Sequence, residues 1–212
     1  MALEEHKIRT SLQDKIHGIV WDMSKYTQVP LPECRFDTII HNAGMLSRDN
    51  LLNMNESKFL KMIAINTMSP IYLTKSCLPY MINKNQGNMF FFCPPYRIDK
   101  KTRKLTPYMQ TKLAQTTFMF SLANMMTKIQ PRTGIPVCPG IRVAGFWTDY
   151  PIWTDALKHR KIGQKENCMS PAIIGKTVEL MLEDKPENIH GNVMIDHDYL
   201  KDRKSTRLNS SH

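Results

Sequence analysis

The chain has 212 residues, enough for one domain with a real core, and combines 42% apolar and 23% charged residues with a net charge of +10. No apolar run approaches the ~20 residues that span a bilayer, and the five cysteines (34, 77, 93, 138, 168) are widely spaced without a C-x-x-C pair. That usage argues against a disulfide framework or a zinc site and for free thiols in a reducing compartment such as the cytoplasm. The basic run Asp99–Lys104 has no interleaved aromatics, so the positive charge reads as solvated helix faces and no nucleic-acid partner is expected.

In chain order, a polar, helix-like stretch over about 3–15, with no signal-peptide apolar region, leads to the apolar run Ile16–Val20, read as a strand ending at Trp21-Asp22. Phe36–His41 is a second strand, ending at Asn42-Ala43-Gly44. Apolar residues at helical spacing predict a helix over 56–83, and Gly87-Asn88 opens the strand Met89–Cys93. A loop, Pro94–Leu105, precedes a helix from Pro107 to about Met126, with Thr106 suited to the N-cap and Pro107 to the first helical position. A short strand, Ile135–Cys138, ends at Pro139-Gly140. A variable stretch, 141–169, is followed by a helix from Ser170-Pro171 to about Glu183 and a last strand, Gly191–Asp196. Short apolar strands alternating with helices predict an α/β fold, a parallel sheet covered on both faces. Ligands of such sheets bind beyond the carboxyl ends of the strands.

Tyr108-Met-Gln-Thr-Lys112 places a phenol and an ammonium on one face of a helix. A nearby cation and the positive helix end favour the phenolate, so the Tyr108 pKa is expected to fall and the group to give or take a proton beside a nicotinamide. Tyr80/Lys84 and Tyr96/Lys100 share the spacing. Only Tyr108 opens a helix that follows a strand.

Taken in order, Phe36–Gly44, Ile65-Asn-Thr67, Gly87 with its apolar strand, Tyr108-x3-Lys112 and Pro139-Gly140 resemble the short-chain dehydrogenase/reductase family, from about Ile16 to Asp196. The Pro94-Pro95 pair and the ending Gly-Asn-Val-Met-Ile-Asp196 resemble its hydroxysteroid-dehydrogenase-like branch. The resemblance implies a Rossmann-like doubly wound parallel sheet, NAD or NADP as cofactor, a small-molecule carbonyl or alcohol substrate, and self-association through helices 56–83 and 107–126. It implies Tyr108 as general acid/base, Lys112 as the group that holds the nicotinamide ribose and tunes Tyr108, and Asn66 as the residue whose backbone carbonyl holds a relay water. Pro70 supports this independently, because its ring pushes on the Asn66 carbonyl and denies it a helical partner; the alternative is that Pro70 merely bends a long helix. Asn42, Ala43 and Gly44 correspond to the turn beside the adenine ribose, Asp22 to the acid near the adenine or to a plain turn residue, and Pro139-Gly140 to the turn beside the nicotinamide.

The chain departs from the family pattern in two places. It holds no G-x-x-x-G-x-G loop, whose backbone N–H groups grip the cofactor diphosphate, so the first βαβ segment is expected to be missing and cofactor binding by this polypeptide to be weak or absent. The family's serine after the third strand is replaced by Cys93-Pro94-Pro95, where Cys93 either substitutes weakly or packs as a small hydrophobe. These departures leave a second reading, a non-catalytic Rossmann-like protein that binds or scaffolds. Residues 1–201 are expected to form one incomplete Rossmann-like domain. Residues 202–212 read as an adapter-like, non-native tail, detached from it. Trp147, Tyr150 and Trp153 either line an apolar substrate pocket or simply pack.

Overall fold

A computed structural model describes residues 15–31, 33–97, 106–127, 138–159 and 164–209. Four strands, β1 (Thr38–His41), β2 (Gly87–Phe92), β3 (Ile141–Trp147) and β4 (Val193–Ile195), form one sheet in that order, every pair parallel. The expected α/β, Rossmann-like parallel sheet is therefore what the chain forms.

The helices are α1 (Glu56–Ile63), α2 (Ser69–Lys84), α3 (Thr106–Thr127), α4 (Asp155–His159), α5 (Ala172–Glu183), α6 (Pro186–Ile189) and α7 (Asp196–Asn209). Side-chain alternation along β2 explains why both sheet faces are covered. Met89 and Phe91 join a core with Met81 of α2, Met119 and Met126 of α3 and Val143 of β3. Phe90 points the other way, into a core with Ala144, Phe146, Val178, Met181, Ile189 and Tyr199.

The helix expected over 56–83 is present but interrupted. Between α1 and α2, Ala64–Met68 is a π-helical turn in which the Ser69 N–H reaches Ala64 O, five residues back. Pro70, at the first turn of α2, has no N–H to offer the Asn66 carbonyl, and a π-bulge is one way a helix absorbs that loss. Such bulges occur frequently at functional sites.

Several sequence expectations need correction. Ile16–Val20 is not a strand, and Ile16, Ile19 and Val20 are exposed. A strand needs a ladder partner, and among the described residues β1 pairs with β2 alone. Pro139-Gly140 lies directly before β3, away from the strand ends where a nicotinamide would sit and at the amino end of the sheet. There Gly87 N–H donates to Gly140 O at 3.2 Å. A Cβ on Gly140 would lie 1.7 Å from the Asn85 carbonyl oxygen, so this glycine serves a close backbone approach. The helix α7 runs to Asn209, and Arg203 pairs with Asp184 and lies over the Tyr199 ring at 5.4 Å. The helix expected over 3–15, the strand residues 135–137 and most of the loop after Arg97 lie outside the described residues.

Candidate active site

The parallel strands end together at His41, Phe92, Trp147 and Ile195, and the chemistry-bearing residues gather there. Helix α3 begins on this side and runs back along the sheet. Its side chains lean toward its N-terminus, which carries Lys112 and Gln115 toward the strand ends.

Asn66 is fully buried in the π-helical turn and joins three segments. Met45 N–H donates to Asn66 Oδ1 at 2.7 Å, and Asn66 Nδ2 donates to Met45 O and to Thr111 Oγ1, both at 2.9 Å. Thr111 Oγ1 in turn donates to the Tyr108 carbonyl oxygen at 2.7 Å, and Thr67 Oγ1 donates to the Thr111 carbonyl oxygen at 3.1 Å. The loop after β1 is thereby tied to the first turns of α3. Within that loop Asn42, Ala43 and Gly44 are exposed, and a Cβ on Gly44 would lie 3.3 Å from Asn66 Oδ1.

Lys112 is 1% exposed. Its Nζ donates to Gln115 Oε1 at 2.5 Å and lies 5.4 Å from the Phe92 ring centroid and 5.9 Å from that of Trp147. Burial lowers the Lys112 pKa to about 8, against a smaller opposing pull from Cys93. The expectation that this cation lowers the Tyr108 pKa is not met. The ammonium faces Gln115 and two aromatic rings, and desolvation alone acts on the enclosed Tyr108 phenol, pushing it above its ordinary value. Tyr80 and Tyr96 stand apart from this cluster. Tyr80 pairs with Lys84 beside Asp37, at the amino end of β1. Tyr96 bonds Thr117 and stacks on Phe120. Its companion Lys100 lies outside the described residues.

Cys93 is completely buried within the core, and desolvation raises its thiol to about 11. It packs as a small hydrophobe, and a Cβ on Gly145 would come within 2.9 Å of its sulfur. Thr116 Oγ1 fixes the adjoining loop by donating to Pro94 O at 2.6 Å. Asp22 is exposed and accepts hydrogen bonds from Ser24 N–H at 3.1 Å and Ser24 Oγ at 2.6 Å, which hold its carboxyl below the usual range. Its contacts are those of a turn residue. Pro139 and Gly140, at the amino end of the sheet, do not join the Tyr108 cluster.

Three participants were not singled out from the sequence. His41 is buried at the end of β1, stacked on Phe91 at 4.4 Å and hydrogen-bonded to Thr74 at 3.1 Å; burial, then the Lys112 charge, lowers its pKa to about 3. A polar residue at an inward position of an apolar strand was the available signal. Gln115 is buried, its Nε2 has no partner among the described residues, and its spacing of three from Lys112 was readable. Asp196 Oδ1 accepts from Asp149 N–H at 3.1 Å and His197 N–H at 2.6 Å, holding the turn beyond β3. Trp147 packs against Phe92 at 4.7 Å, whereas Tyr150 is exposed beside His197. No group of three or more potential metal ligands occurs among the described residues, and no helix there is long and apolar enough to cross a membrane.

The family model described as short chain dehydrogenase matches residues 4–148. A search of curated proteins finds no match. Among solved structures, the chain is similar to a Xanthomonas campestris protein described as a dehydrogenase, with 20% identity, TM-score 0.66, 79% of this chain and 58% of that one. It is also similar to a Beutenbergia cavernae protein described as an NAD(P) dependent gluconate 5-dehydrogenase with bound NADP, with 15% identity, TM-score 0.68, 90% of this chain and 80% of that one. A 4-hydroxyisoleucine dehydrogenase complexed with NADH matches at 19% identity and TM-score 0.61, over 84% of this chain and 77% of that one. Identities at this level carry the fold alone. The chain spans 58% of the length of the Xanthomonas protein.

Proposed function

The chain belongs to the short-chain dehydrogenase family, and on that premise we propose that it is an NAD(P)-dependent oxidoreductase that interconverts a carbonyl and an alcohol on a small molecule. The observation that carries this reading is the hydrogen-bonded chain Met45–Asn66–Thr111–Tyr108, set beside buried Lys112 at the carboxyl ends of the strands. That is where parallel sheets receive their ligands.

The donor set fits the nicotinamide ribose. Lys112 has three N–H donors and one acceptor among the described residues, and Gln115 Nε2 has none, so donors are left over for ligand oxygens. It does not fit the diphosphate: the 212 residues contain no G-x-x-x-G-x-G loop, so we expect this polypeptide on its own to hold a dinucleotide weakly. When bound, the nicotinamide supplies or accepts the hydride. Tyr108 gives the proton to the nascent alkoxide or takes it from the alcohol. Lys112 holds the ribose, and its charge stabilises the phenolate once that phenolate forms. The Asn66 carbonyl, denied a helical donor by Pro70, is the anchor for a proton-relay water. Self-association through helices 56–83 and 107–126 belongs to the same proposal.

A second reading, a non-catalytic member that binds without turnover, is favoured by one pair of observations: Cys93 is buried where a hydroxyl donor is needed, and desolvation raises rather than lowers the Tyr108 phenol. Turnover of NADPH with an activated aromatic aldehyde or quinone separates the two. The oxidoreductase reading expects turnover above buffer that falls about 100-fold or more in Tyr108→Phe. No turnover at any cofactor concentration would leave the second reading.

A further inference from the structure

Lys112 is held in a way that its own helix partner determines. Its ammonium sits among two aromatic rings, the buried Cys93 thiol from the end of β2 and the neutral His41 imidazole from the end of β1. None of these accepts a hydrogen bond from the ammonium among the described residues. Gln115 Oε1 does, at 2.5 Å, from one turn further along α3. Gln115 is itself 1% exposed, so the pair is enclosed and its geometry is not set by solvent. The amide also has a fixed orientation: with Oε1 on the ammonium, Nε2 is the buried end without a partner among the described residues.

We propose that Gln115 is a positioning residue for Lys112, holding the ammonium toward the rings of Phe92 and Trp147 and leaving its own Nε2 as a second donor for the same ligand. This rests on the proposed function for the ligand's identity, but the hold itself concerns two side chains of this chain and needs no cofactor. A buried ammonium with one hydrogen bond depends on it strongly, because the other groups that favour its charged form, the two ring faces and the Cys93 sulfur, act weakly and without a hydrogen bond. Removing the acceptor therefore pushes the Lys112 titration further down. Replacing it with a carboxylate pushes it up.

The test is lysine side-chain NMR of the intact chain, with the Lys112 signal assigned by Lys112→Arg. In the native chain we expect a midpoint near the value of about 8 that burial imposes. Gln115→Met, close in shape but without an acceptor, should lower that midpoint by about one unit, tenfold in proton affinity. Gln115→Glu should restore or raise it. A midpoint unmoved in Gln115→Met, in protein whose circular dichroism matches the native chain, would overturn the proposal. So would a Gln115→Glu midpoint that falls together with that of Gln115→Met. If the midpoints move as expected while no NADPH turnover is found, the positioning role stands and the oxidoreductase reading falls.

Discussion

Asn66 Nδ2 donates to Thr111 Oγ1 at 2.9 Å, and this hydrogen bond, together with that from Thr67 Oγ1 to the Thr111 carbonyl oxygen, joins the π-helical turn to the helix that carries Tyr108 and Lys112. Because Asn66 also pairs with both the N–H and the carbonyl of Met45, its loss would leave two backbone groups unpaired, while Thr111 Oγ1 keeps its bond to the Tyr108 carbonyl oxygen. Asn66→Leu is expected to cost about 2–4 kcal/mol, more than Thr111→Val, as buried groups left unpaired each cost about 1–3. Urea unfolding of the two variants checks the order.

Glycines at two positions should respond in opposite directions. Alanine at Gly140 would place its Cβ 1.7 Å from the Asn85 carbonyl oxygen, backbone against backbone, so Gly140→Ala should destabilise severely. Gly175 is exposed within α5 with nothing within 4 Å of its Cβ position, and Gly175→Ala should stabilise by about 0.5–1 kcal/mol. Thermal melts of both variants distinguish them.

Sequence alone located the long elements well, because their apolar periodicity is strong. The helix expected from Pro107 to about Met126 is Thr106–Thr127, and the parallel α/β class followed from alternating short strands and helices. It misplaced Pro139-Gly140 because a proline-glycine pair marks a turn without saying at which end of the sheet the turn lies. Ile16–Val20 misled for a related reason: apolar character shows that a strand is wanted, and pairing depends on a neighbour the local sequence does not reveal. The direction of the Tyr108 shift depended on burial, which competes with charge and is set by tertiary packing. Gln115 and His41 needed the folded arrangement to show which partner each faces.

His41 makes stability sensitive to acid. Burial holds its folded pKa at about 3, below the 6.5 of an unfolded chain, so the stabilisation is complete above pH 6.5 and is lost as pH falls toward 3. Between pH 6.5 and pH 4 this group alone should remove about 3 kcal/mol. His41→Gln, which does not titrate, should flatten that limb of the stability profile in denaturant titrations.

Lys112 acts at the other end of the scale. Its folded pKa of about 8 lies below the unfolded 10.5, so its burial penalty is full below pH 8 and relaxes as pH rises toward 10.5. Lys112→Met removes this penalty but leaves the buried Gln115 amide without its partner, so its stability relative to the native chain should fall by about 2–3 kcal/mol from pH 7 to pH 10. Chemical denaturation at pH 7 and at pH 10 reads the difference.

Saturation-transfer NMR with NADPH at millimolar concentration tests most directly whether the Tyr108–Lys112–Asn66 cluster receives the cofactor's nicotinamide half. Transfer should be strongest on the nicotinamide and adjoining ribose protons, weak on the adenine protons, and lost from the nicotinamide in Lys112→Met. Transfer confined to adenine, nicotinamide transfer that survives Lys112→Met, or no transfer at all would contradict the assignment of this cluster as the active site.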